Sequence, residues 1–153
     1  MAWYGRGPYE NYVDRCCGSF VGRYSSTVQA QFVAYARPQD CGYKSDVRWV
    51  TFSDNNGRGV RFAHLGGTMF VQALHYGWED LEFARHRVTQ LRFGGGLTPR
   101  KEVLLNLDIR QCGLGNGSCG KNPTMDKYRF KAQLEHWVLL IEPVEKDYGN
   151  EVF

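Results

Sequence analysis

Six carboxylates fall where acid–base or nucleophilic chemistry could use them: Glu10, Asp14, Asp40, Asp46, Asp54 and Asp108. Two carboxylates can share such work when a fold brings them together. Each of the six also has a structural use. Asp54 opens the turn sequence Asp54-Asn55-Asn56-Gly57, Asp46 lies near Arg48, and Asp14 adjoins Arg15, as ion-pair members do. Glu10 and Asn11 follow Gly7-Pro8 and can hold a loop by hydrogen bonds. A second chemistry would use a thiolate activated by histidine. Cys16, Cys17, Cys41, Cys112 and Cys119 are available, with His64, His75, His86 and His136, but none forms a recognisable Cys–His motif. No CxxC pair and no His/Cys ligand spacing occurs, so no structural metal is expected. The odd cysteine count leaves at least one thiol unpaired. Buried free thiols are the expectation, with one disulfide left open.

A third candidate is a loop of small residues. Gly113, Gly115, Gly117, Ser118 and Cys119 allow close backbone approach to a ligand or neighbour, and Asn116 and Ser118 offer hydrogen bonds to hydroxyls. The plain alternative is a tight connection after a strand. Aromatic side chains form the last group. Trp49 and Trp137 sit in strand patterns and are expected in the core, whereas Trp3, Tyr9 and Trp78 are expected at an edge or interface.

The elements that must position these groups read as strands. Val28, Ala30, Phe32 and Ala34 alternate with other residues at period two, which predicts a half-buried strand. Val47, Trp49 and Thr51 predict another, running into the Asp54–Gly57 turn and returning over Val60–His64 as a hairpin. Val103, Leu105, Leu107 and Ile109 predict a strand, and so do Tyr128, Phe130, Ala132 and Leu134, followed by the apolar run Trp137–Ile141. One helix is predicted near Glu79–His86, acidic at its start and basic at its end. With one short helix among many strands, the fold class is all-β, a sandwich, and the strand count is low for two complete sheets.

The bulk properties narrow the partners. A chain of 153 residues with 42% hydrophobic and 14% aromatic residues is one domain with a real core. The net charge of +3 is spread singly, with no basic stripe, so no nucleic-acid partner is expected. A mean hydropathy of −0.47 and short apolar runs predict no membrane span. The first residues carry no basic segment followed by an apolar stretch, so no secretory signal is read, and the compartment stays open between cytoplasm and periplasm. No cofactor is expected, and a cation held by loop carbonyls stays open.

Three segments go beyond pattern. Trp3-Tyr4-Gly5-Arg6-Gly7-Pro8-Tyr9-Glu10-Asn11-Tyr12-Val13-Asp14-Arg15 closely resembles the WYGRGPxENYxDR segment of the C-terminal, small-chain-type domain of family 2 glycoside hydrolases of the β-galactosidase type. Tyr35-Ala36-Arg37-Pro38-Gln39-Asp40-Cys41-Gly42, followed by Asp46-Val47-Arg48-Trp49, is similar to that family's YxRPQENG…DVRW stretch. Leu107 to Gly120 is similar to its LDxxQxGxGxxSxG segment, and Leu74–His86 looks like the segment between the second and third motifs. The motifs occur in the family's order and reach from Trp3 to about Pro143.

The resemblance implies a galactose-mutarotase-like supersandwich, incomplete because the family's domain begins upstream of the first motif. Residues 1–153 would form a single domain, and the family's catalytic barrel with its two glutamates would lie outside it. A retaining pair needs carboxylates about 5–5.5 Å apart, and no such pair is expected here. Asn116, Gly117, Ser118 and Cys119 would form a substrate-proximal loop helping to wall the barrel's active site. Arg6, Glu10, Asn11, Arg37 and Asp40 would be structural or binding residues of the motifs.

Departures are visible. Asp40-Cys41 stands for Glu-Asn, Val13 for a common Pro, and Cys119 where some relatives place a Trp that lines the sugar site. A thiol cannot stack on a sugar face. The implied function is an accessory domain for hydrolysis of terminal β-galactosides, with the enzyme's other domains and a galactoside as partners. An independent carbohydrate-binding module is one alternative. A structural piece that self-associates through edge strands is another.

Overall fold

Alternation in the first residues decides how the sandwich closes. Strand β1 (Ala2–Gly7) turns Trp3, Gly5 and Gly7 inward. A Cβ on Gly5 would lie 2.8 Å from the Cα of Val47, so a backbone of the opposite sheet crosses here. A Cβ on Gly7 would lie 2.8 Å from the ring of Tyr24. The Trp-x-Gly-x-Gly pattern is therefore a packing device: one large ring with two gaps beside it for neighbours.

The computed structural model describes residues 1–35, 39–86, 97–114 and 124–145. Among these, two antiparallel sheets form an all-β sandwich with very little helix. The five-stranded sheet runs in the order β2 (Phe20–Ser25), β1, β4 (Trp49–Ser53), β5 (Gly59–Leu65), β8 (Val138–Val144). The three-stranded sheet runs β3 (Lys44–Val47), β6 (Met69–Leu74), β7 (Leu104–Asp108). Trp3 and Val50, register partners in the larger sheet, meet Val47, Met69 and Val71 of the smaller one. Phe52, Phe62, Leu105, Leu107 and Leu139 pack around them. Covering each such side chain contributes about 1.5–3 kcal/mol.

The hairpin read from Asp54–Gly57 is present. The Asp54 carboxylate accepts from the amides of Asn56 at 2.8 Å and Arg58 at 3.0 Å, and Gly57 takes φ of +80°. The single helix α1 (Trp78–His86) begins with Glu79 and Asp80. Asp80 accepts from the amide of Gly77 at 2.7 Å, closing the helix start. Its bond to Arg100 holds its carboxyl below the ordinary value.

Several expectations fail for physical reasons. Residues 28–35 are no strand: a 3₁₀ turn occupies Gln29–Gln31. The hydroxyl of Thr27 accepts from the Ala30 amide, so local side-chain bonding outcompetes a ladder. Residues 128–134 are no strand either: Tyr128 ends a 3₁₀ turn begun at Asp126, and an exposed segment follows, with Leu134 at 83% exposure. The alternation there pairs with no strand among the described residues.

The strand expected from Val47 onward is two strands in different sheets. The chain changes sheets at Arg48, whose amide donates to Tyr4 while its carbonyl accepts from His64. Asp46, just before this corner, takes φ of +53°. The tryptophans also exchange places. Trp3, expected at an edge, is 1% exposed, because Gly5 and Gly7 let the core close around it. Trp49 faces outward under the guanidinium of Arg61, 5.1 Å from the ring centroid, and Trp137 is 36% exposed beside His64.

Candidate functional site

The first two motifs meet where the segment after β1 lies along the segment leading into β3. Glu10 follows Pro8 at the end of β1, and its side chain is 7% exposed. One carboxylate oxygen accepts from the hydroxyl of Tyr12 at 3.1 Å and the amide of Gly42 at 2.9 Å. The other accepts a short hydrogen bond from the Tyr35 hydroxyl and faces Arg15 at 3.5 Å. A carboxylate taken out of water needs this many donors. Burial, then Glu10 itself, pushes the hydroxyl of Tyr12 well above the ordinary tyrosine value and that of Tyr35 upward.

Asn11 is fully buried. Its amide nitrogen donates to the carbonyl of Tyr9 at 3.0 Å, and its oxygen accepts from the amide and hydroxyl of Ser45 at 2.8 and 2.5 Å. Arg6 reaches Asp46 through Nε at 2.5 Å, and its Nη1 donates to the carbonyl of Ser19 at 2.7 Å. Asp40 is exposed but held by the side-chain amide of Gln72, which also donates to the carbonyl of Cys41 at 2.7 Å. Arg6, Glu10, Asn11 and Asp40 are thus brought into one stitched region. Arg37 and the loop Asn116, Gly117, Ser118 and Cys119 lie outside the described residues.

Two residues of this region have roles that the sequence does not announce. Tyr35 opens the second motif and ends a run read as a strand, neither of which assigns its hydroxyl a task. Lys44 looks like a solvated strand charge, yet it is 2% exposed. Its ammonium lies 5.4 Å from the Trp3 ring centroid and donates to the carbonyl of Gly42 at 3.0 Å. Burial lowers its pKa to about 8, against an opposing pull from Glu10. Both residues are set by what the fold wraps around them, which a charge or a ring cannot announce by spacing. Trp3, Tyr9, Glu10, Gln31 and Lys44 line a cleft of about 440 Å³.

The expected ion pairs are re-sorted. Asp46 pairs with Arg6 by side chain, while Arg48 donates to the backbone carbonyl of Asp46. Arg15 pairs with Glu10 and covers the ring of Tyr12 at 5.5 Å. Among the described residues, no group of three or more His, Cys, Asp or Glu could hold a metal ion. Cys16, Cys17, Cys41 and Cys112 are free thiols, with Cys41 buried and its thiol pushed up to about 11 by burial.

The family model for the beta galactosidase small chain matches residues 1–140. The chain belongs to that family. It is 34% identical over 132 residues to a beta-galactosidase of Priestia megaterium, a match covering 86% of this chain and 12% of that protein. It is 36% identical over 145 residues to a beta-galactosidase of Streptococcus thermophilus, covering 94% of this chain and 14% of that one. A beta-galactosidase of Lactobacillus delbrueckii subsp. bulgaricus is 39% identical over 84 residues, covering 55% of this chain and 8% of that protein. The chain therefore spans about one eighth of the length of the first two curated relatives. The small-chain match takes in the whole stitched region, from Arg6 through Gln72, and both sheets up to the start of β8.

Proposed function

We propose that residues 1–153 are a single C-terminal accessory domain of a β-galactosidase of glycoside hydrolase family 2. It supports a catalytic barrel supplied by the rest of such an enzyme, and the loop Asn116, Gly117, Ser118 and Cys119 contributes to the active-site wall. The parent reaction is hydrolysis of terminal β-galactosides.

The observation that carries this reading is the family match over residues 1–140 by a chain covering only 12% and 14% of its relatives. Two structural features support it. Glu10, Asp40, Asp46 and Asp54 each take separate structural partners within the fold. Strand β8 closes one edge of the larger sheet with Val138 and Ile141 both 59% exposed, an apolar edge that further segments of a longer enzyme would cover.

Hydrolysis of a chromogenic β-galactoside tests the reading. The purified chain gives no turnover, and it restores turnover when expressed in trans with a β-galactosidase polypeptide that lacks the matching segment. Turnover by the chain alone that survives repurification and is lost on replacing one carboxylate would overturn it.

A further inference from the structure

We propose that the adjacent thiols of Cys16 and Cys17 form a chelating site for trivalent arsenic, held through two As–S bonds. The site lies in the segment between β1 and β2 and does not rest on the accessory-domain reading.

Adjacency supplies the first half of the case. The peptide between Cys16 and Cys17 is trans, since Gly7–Pro8 is the one cis bond among the described residues. Consecutive Cα atoms then lie about 3.8 Å apart, so both sulfurs can reach one centre by side-chain rotation with the fold unmoved. Once the first sulfur is bound, the second bond forms within one molecule, which multiplies the affinity of a single thiol. Trivalent arsenic asks for two sulfurs and keeps a third substituent of its own. It therefore needs less than a metal ion would, and no group of three metal-binding side chains occurs among the described residues.

The fold supplies the second half. The amide of Ser19 donates to the carbonyl of Cys16 at 3.0 Å, closing a turn over Cys16–Ser19. Arg6 reaches across from β1, and its Nη1 donates to the carbonyls of Cys16 at 3.3 Å and Ser19 at 2.7 Å. Asp46 holds the same guanidinium through Nε. Both ends of the turn are thus fixed by backbone carbonyls, which leaves the two thiols for a ligand. The Cys16 thiol has a contact of 3.5 Å to the carbonyl of Val13, a weak bond for a thiol to give up.

The pair is also open and set beside a cation. Cys17 is exposed and Cys16 half-buried, and nothing lies within 4 Å of a Cβ built on the next residue, Gly18. Arg6 is raised above its ordinary value first by its hydrogen bond to Asp46 and further by the charges of Cys16 and Cys17, so it stands within electrostatic reach of both. Exposed thiols in electropositive surroundings are the reactive ones. Cys41, fully buried, has neither property.

With phenylarsine oxide as the ligand, the two S–H bonds and both arsenic–oxygen bonds are exchanged for two As–S bonds. One water leaves, carrying the oxygen and both thiol protons, and arsenic stays trivalent.

The test is native mass spectrometry of the full chain after one equivalent of phenylarsine oxide and gel filtration. One phenylarsenic group per chain is expected, retained against excess monothiol and removed by 2,3-dimercaptopropanol. Cys16→Ser and Cys17→Ser should each weaken retention about 100-fold or more, the loss of the chelate. A double variant, Cys112→Ser with Cys119→Ser, should retain the group as the wild type does. Cys17 is exposed, so its variant decides the matter if Cys16→Ser does not fold. No adduct on the folded chain, an adduct that survives Cys17→Ser, or one lost in the double variant would each overturn the proposal.

Discussion

The carboxylate of Glu10 accepts a hydrogen bond from the backbone amide of Gly42, 32 residues along the chain, at 2.9 Å. This contact fastens the first motif to the second. Gly42 takes φ of +83° there, and a Cβ on it would lie 2.6 Å from the carbonyl of Gln31, so the amide is presented from a place only glycine fills. Replacing Glu10 by Ala removes an acceptor shared by the Tyr12 and Tyr35 hydroxyls and the Gly42 amide. A loss of about 3 kcal/mol is expected, read as a lower urea midpoint at unchanged slope. Glu10→Gln keeps part of the hydrogen bonding and falls between. An Ala variant within a few tenths of wild type would show that the cluster adds little.

Gly5→Ala tests the close approach of the sheets. The new methyl would sit 2.8 Å from both Cα and Cγ2 of Val47. Overpacking of this kind costs about 1–3 kcal/mol. Gly18→Ala is the control, since nothing lies within 4 Å of the added carbon there. Thermal melts of the two variants should separate clearly, and equal melts would place the sheets further apart than described.

Lys44 gives stability an unusual pH dependence. Its pKa falls from 10.5 when exposed to about 8 in the fold, so above pH 8 the unfolded chain binds the extra proton. Stability therefore rises with pH over the window from about 8 to 10.5 as far as Lys44 is concerned, and its contribution is smallest below 8. Cys41 acts in the opposite sense. Its thiol is pushed from 9.0 to about 11, so stability is lost between those values as the unfolded thiol ionises first. Urea midpoints are expected to climb between about pH 8 and 9 and to flatten or fall above. Lys44→Met should abolish the climb. A midpoint that is level or falling from 8 to 9 in wild type would contradict the burial of this amine.

Thiol labelling sorts the cysteines. Cys17 and Cys112 are exposed, whereas Cys41 is fully buried with a thiol pushed up to about 11. With a chromogenic disulfide reagent at neutral pH, Cys17 and Cys112 should react first and Cys41 only on unfolding. Early labelling of Cys41, located by peptide mapping, would argue against the described core.

Much of this architecture could be read from residue order. The Asp54–Gly57 turn, the hairpin around it, β7 and the helix at Trp78–His86 follow from local chemistry, which acts over a few residues. The failures share a cause. Residues 28–35 and 128–134 alternate as strands do, but a strand needs a partner edge, and alternation carries no information about one. Trp3 and Trp49 depart from expectation because facing is decided by the other sheet: Gly5 admits it beside Trp3, and the turn of direction at Arg48 takes Trp49 out of the core. At the site, the motif residues Arg6, Glu10, Asn11 and Asp40 could be picked out by type. Tyr35 opens the second motif, but the task of its hydroxyl and the burial of Lys44 could not be read, because both arise only when the segment after β1 and the segment leading into β3 are laid side by side.

The corner at Arg48 ties the fate of one sheet to the other. Its amide and carbonyl are bound between Tyr4 and His64 of the larger sheet, while Val47, the residue before it, is already a core residue of the smaller. Neither sheet can peel away without pulling this peptide out of register. Exchange of the Arg48 and His64 amides with solvent deuterium should therefore report global opening, at a rate shared by the amides of β1 and β4 and not with the slower or faster clock of any single sheet.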